Sequence, residues 1–126
     1  MVERMDTQRN TLPVVEHMLG VYKVWFGLRD HFPKKARYTL GDKIDNRFLN
    51  VLELLSVAAF QGAYQKTPTL ERALVAADAL KFLLRVAWEL KLLEDARYAE
   101  LSQGVQEVSR QIGGWKKGLE KKTPAR

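Results

Sequence analysis

The sequence predicts an all-α protein, an antiparallel up-down-up-down four-helix bundle. Three observations predict it. Apolar residues recur three and four apart through four long stretches. Short breaks join those stretches, which makes neighbours in sequence antiparallel neighbours in space. No alternating strand pattern competes, and 126 residues make one domain. The division expected is a flexible N-terminal segment (1–12), the bundle (13–119) and a basic C-terminal tail (120–126).

The first helix is expected over about 13–32. Val15, Met18, Leu19, Tyr22, Trp25 and Phe26 form its stripe, and Pro13 suits a first turn. It ends at His31-Phe32-Pro33, since a residue before proline is pushed out of the α region.

The second is expected over about 39–62. Thr39-Leu40-Gly41-Asp42 has capping-box-like spacing, with Asp42 in place of the usual Glu or Gln. Leu40, Ile44, Phe48, Val51, Leu52, Leu55, Ala58 and Ala59 form the buried face, and Lys43, Asn46, Arg47 and Asn50 share the opposite side.

Thr67-Pro68 opens the third as N-cap and N1 proline, giving a helix over about 68–93. The fourth, about 95–119, carries Tyr98, Leu101, Val105, Val108, Ile112, Trp115 and Leu119 at unbroken helical spacing.

The third helix asks for more than one bundle. Between Ala73 and Leu90 its only charges are Asp78, Lys81, Arg85 and Glu89, within a sector of about 80°. Leu74, Ala77, Leu80, Leu84 and Ala87 form one apolar flank, and Ala79, Phe82, Leu83, Val86 and Leu90 another. A second subunit would cover the second flank, so a homo-oligomer is expected. The alternative is a third helix set unusually deep in a monomer. Gly104, Gly113 and Gly114 interrupt the fourth helix at about 1 kcal/mol each relative to alanine, which suits close packing; Gly113-Gly114 as a helix end is the other reading.

Catalytic chemistry finds little support. There is no cysteine, and His17 and His31 are too far apart for a local metal pair. No Glu-x-x-His pair, phosphate-cradling glycine loop or G-x-S-x-G occurs. The expectation is no enzyme, metal or cofactor. No uncharged run approaches the roughly 20 apolar residues of a membrane span, and residues 1–10 lack a signal-peptide pattern, so a cytoplasmic protein is the default.

Charge is the better lead. The net charge is +6, yet Lys34, Lys35 and Arg37 supply +3 and the stretch Trp115–Arg126 a further +4. The remainder is close to neutral. Lys34, Lys35 and Arg37, placed in a break between helices, are candidates for an anionic partner. Lys116 and Lys117 end the fourth helix, with Lys121 and Lys122 beyond. Lys81 and Arg85 stand one turn apart on the third helix, and Lys43 and Arg47 on the second. Each cluster also has an ordinary reading: lysines complement a helix C-terminus, and Asp78 and Glu89 pair with Lys81 and Arg85. Taken together they favour an anionic partner. Tyr22, Trp25, Phe26, Trp88 and Trp115 read as core, and Tyr38 and Tyr64, in or beside links, are the candidates to stack on bases.

Several strings carry a family likeness: Pro33-Lys-Lys-Ala-Arg-Tyr-Thr-Leu-Gly-Asp42, Ala79-Leu-Lys-Phe-Leu-Leu-Arg-Val-Ala87, Leu90-Lys-Leu-Leu93 and Ile112-Gly-Gly-Trp-Lys116. The chain resembles, over about Val14 to Lys117, the accessory variability determinant (Avd) proteins of diversity-generating retroelements, which are close in fold to proteins encoded in 23S rRNA intervening sequences. The resemblance implies a homopentameric basic barrel without catalysis. Such a protein binds the element's reverse transcriptase and its template RNA or cDNA and supports mutagenic retrohoming. On that reading Lys81 and Arg85 are the best carry-over for a charged partner surface, Lys34, Lys35 and Arg37 match the basic link, and Lys116 follows the G-G-W. The alternative it leaves open is an oligomeric interaction protein of the intervening-sequence type with no nucleic-acid role.

Overall fold

The computed structural model describes residues 2–122, with side chains described over 13–121. Helix α1 spans Val2–Arg29, α2 is a single turn, Lys34–Ala36, and a π turn over Arg37–Gly41 leads into α3, Asp42–Ala59. Helices α4 and α5 span Ala63–Glu89 and Asp95–Lys122. Because α2, the π turn and α3 run on without a break, the chain forms four rods, with no strand among the described residues. Helix α1 packs on α3 and α5, and α4 packs on the same two, so the rods stand at the corners of a square.

The interior follows the helical stripes. Leu101, Val105, Val108 and Ile112 of α5 are fully buried, as are Ile44, Phe48, Val51, Leu55 and Ala58 of α3. On α1 Met18 and Trp25 are buried as expected, while Val14 and Val21 complete the inward stripe and Val15 and Tyr22 are only partly buried. Phe26, expected in the core, is 60% exposed. That stripe packs against two neighbours at once. On the α5 side Val21 meets Gly104, where an added Cβ would come within 2.7 Å of the valine Cγ2. The close approach suggested by that glycine is thus made within the chain. Gly113 and Gly114 face open space, and the helix runs through them to Lys122.

Several helix boundaries differ from expectation. Helix α1 runs N-terminally past Pro13 to Val2, which makes the proline an interior residue. The expected flexible segment 1–12 falls on residues whose side chains are outside the described set, and of the basic tail residues 123–126 are outside it altogether.

The second rod starts at Lys34, not Thr39. Helix α1 ends at Arg29, and after a turn the Pro33 carbonyl accepts the N–H groups of Ala36 and Arg37 and opens the next helix. Thr39 caps nothing, because its hydroxyl bonds back to the Lys35 and Ala36 carbonyls.

Helix α4 begins at Ala63 behind an extended Gly62, with Pro68 inside it. Thr69, rather than Thr67, holds this end, donating to Gln61 Oε1 at 2.6 Å.

The same helix stops at Glu89. Leu92 N–H reaches the Ala87 carbonyl and Lys91 N–H the Trp88 carbonyl, a Schellman motif with Lys91 at φ 63° where glycine is usual. Trp88 then stacks on Tyr98 at 4.6 Å and donates to Asp95 at 2.8 Å, bracing the turn into α5.

The second apolar flank of α4 is partly covered inside the chain. Ala79, Leu83 and Val86 are half-buried, whereas Phe82 and Leu90 stay exposed.

Candidate nucleic-acid interface

The cations expected to form a site divide according to what their neighbours do. Arg37 is committed to the fold: its Nη2 donates to the Asp30 and Phe32 carbonyls at 2.9 and 3.2 Å, closing the end of α1. Its Nε is buried without a partner. Lys81 pairs with Asp78 at 3.2 Å and donates to Gln106 of α5 at 2.7 Å. Arg85 pairs with Glu89, and Lys116 bridges Glu71 and Glu120 at 3.4 and 3.6 Å. Lys34, Lys35, Lys43, Arg47 and Lys117 are exposed and make no ion pair among the described residues.

Four of those five lie on the second rod. The Lys34–Arg37 stretch, expected in a link, forms the start of a helix, where positive charge opposes the macrodipole. Acids that might have neutralised this end are drawn inward. Asp42 and Asp45, one turn apart on α3, both reach Arg29 of α1, at 2.7 and 3.3 Å. Asp45 is only 8% exposed and also accepts from Tyr22 Oη at 2.9 Å and Trp25 Nε1 at 3.2 Å. Burial and the facing carboxylate raise the Tyr22 pKa above its ordinary 10.0, with Arg29 acting weakly the other way. Asp45 therefore faces the core and the half-exposed Asp42 is held by Arg29, while the lysines of this helix end and Arg47 face water.

The π turn aligns them. An α-helix advances about 100° per residue, and a π turn holds one residue more than an α turn. Lys35 is thus in effect seven residues before Lys43 and eleven before Arg47, within about 20° of each. Uninterrupted α-helix would have left it about 80° and 120° away. Lys35, Lys43 and Arg47 share one edge of the rod.

That edge borders a groove. Lys43, Asn46, Arg47 and Asn50 of α3 face Ala79, Phe82 and Leu83 of α4 across a cavity of about 510 Å³. The Phe82 ring is 62% exposed. Lys81 and Arg85 lie on the α5 side of α4, and Lys116 and Lys117 near the far end of α5, so one chain does not gather all the expected cations into a single site. Tyr38 and Tyr64 are both exposed, at 59% and 69%.

The Asp45 cluster was not foreseen, because a single Asp in a polar-looking helix start gives no sign of facing inward. Lys66 is another such residue. It is 6% exposed, its ammonium lies 5.6 Å from the Trp115 ring centroid, and burial lowers its pKa. His17 is half-buried and bonded to Gln111 at 3.0 Å. Among the described residues no three His, Cys, Asp or Glu side chains converge as metal ligands, and no helix is long and apolar enough to cross a membrane.

Comparison with known proteins adds one finding. A protein-family model described as bAvd-like matches residues 14–119, which takes in parts of all four rods and most of the bundle. No curated protein matches the chain.

Proposed function

The chain belongs to the bAvd-like family, and from that premise we propose that it is a non-catalytic accessory protein of a diversity-generating retroelement. In this role it binds the element's reverse transcriptase and its template RNA or cDNA, and it works as a homo-oligomer, a pentamer by family likeness. Family membership points to the accessory role. The observation that carries the nucleic-acid part is the row of unpaired cations, Lys35, Lys43 and Arg47, kept outward while Asp42 and Asp45 turn in to Arg29. Lys35 stands in the first turn against the helix dipole, and cations clustered without carboxylate partners repel one another; a polyanion relieves both.

Self-association is favoured by apolar side chains exposed away from this row. The Phe26 ring lies 6.0 Å from that of Tyr22 at the outer edge of the α1–α3 aromatic cluster, and Leu49 of α3 is also exposed. Burying them on another copy leaves the cations in water and multiplies the charge presented to nucleic acid.

The test is direct. Purified protein is sedimented at micromolar concentration, then titrated with template RNA and mixed with the reverse transcriptase. An oligomer that binds both supports the proposal, with RNA affinity falling steeply as salt rises. A monomer removes the assembly. An oligomer that binds the transcriptase but no nucleic acid supports the alternative, a protein-only interaction module.

A further inference from the structure

The α3–α4 groove combines three chemistries that suit one kind of ligand. Lys43 and Arg47, which make no ion pair among the described residues, stand one turn apart on its α3 wall, and Lys35 continues their line. Asn46 and Asn50, also one turn apart, bring both donors and acceptors to the same wall. The α4 wall is Ala79, Leu83 and the exposed face of Phe82. Its volume of about 510 Å³ is that of a small-ligand pocket.

We propose that this groove takes an unpaired nucleotide of a single strand, an inference that rests on the accessory reading above. The base stacks on Phe82, its edge meets Asn46 and Asn50, and the flanking phosphates lie along Lys35, Lys43 and Arg47. Aromatic faces bind bases without regard to sequence, whereas in a duplex the base faces are already stacked and out of reach. The site therefore selects strand state and not sequence. A second copy of this chain is the poorer occupant, because covering Phe82 with another positively charged subunit would desolvate two unpaired cations. RNA and DNA share the required chemistry.

The experiment uses the full chain and labelled 20-nucleotide oligomers of mixed sequence, as RNA and as DNA, each single-stranded and as duplex. The parent should bind single strands at least tenfold more tightly than duplex. Phe82→Ala should lose about tenfold in single-strand affinity and leave duplex affinity alone. Phe82→Trp should restore binding, with its added indole emission quenched by the single strand. Tighter binding of RNA assigns the groove to template, and of DNA to the copied strand; either supports the site. Equal affinity of Phe82→Ala and parent for single strands overturns it, as does a change of oligomer size in Phe82→Ala, which would make the ring a subunit contact. Equal affinity of the parent for single strand and duplex, lost in K35Q/K43Q/R47Q, overturns the groove and leaves the accessory reading standing. No binding of any oligomer by the parent overturns both.

Discussion

Trp25 and Asp45 are bonded to each other inside the core: the indole N–H donates to Oδ1 at 3.2 Å, and the carboxylate also takes Tyr22 and Arg29. Tyr22, Trp25 and Arg29 are spaced three and four apart on α1, so one face of that helix presents two neutral donors and a guanidinium to a single acid. Asp45→Ala leaves these donors unpartnered and the guanidinium bound to Asp42 alone. A loss of about 3 kcal/mol is expected from urea unfolding, in line with breaking a buried charge pair.

The same cluster sets an alkaline limit. The folded-state pKa of Tyr22 is raised above 10.0, so its contribution is complete below that value and falls away as pH rises through the folded pKa. The parent should lose stability in that alkaline range, and Tyr22→Phe should lose less over the same range. Urea midpoints measured on both sides of pH 10.0 check this.

Glycines of α5 should respond with opposite signs. Gly104→Ala drives a methyl group into Val21, whose Cγ2 would lie at 2.7 Å, and should cost about 1–3 kcal/mol. Adding Val21→Ala should recover part of that loss. Gly113→Ala and Gly114→Ala meet nothing within 4 Å and should each stabilise by about 0.5–1 kcal/mol. Thermal unfolding of the four variants separates the two cases.

Lys91 holds the left-handed position of the α4 cap at φ 63°. Lys91→Gly relieves that conformation and should stabilise by about 1 kcal/mol, whereas Lys91→Val should destabilise. Chemical denaturation of the pair reads both signs.

These sites also show how far the sequence reaches. The α5 stripe was legible because Leu101, Val105, Val108 and Ile112 meet a core on one side only, where period alone decides burial. The α1 stripe differs in part because Val21 is buried by contact with Gly104 of α5, which no local pattern encodes. The start of the second rod is hidden in the sequence because Pro33 reads as a stop and three bases in four residues read as a link; only the folded backbone shows the proline carbonyl opening the next helix. The α4 end was set late because its cap is a lysine, and the usual signal is glycine. For the interface, Lys43, Asn46, Arg47 and Asn50 were legible as one polar face. Their alignment with Lys35 depends on the π turn, and Phe82 as the facing wall depends on how α3 and α4 pack.

The central claim is that Lys35, Lys43 and Arg47 form an outward row that binds nucleic-acid phosphates. It is tested most directly by the salt dependence of RNA affinity for the parent and K35Q/K43Q/R47Q. Each phosphate contact on single-stranded RNA contributes about 0.7 to the slope of log affinity against log salt. The account predicts a slope shallower by about 2 in the triple variant, with unchanged sedimentation. An unchanged slope in a folded triple variant would contradict it.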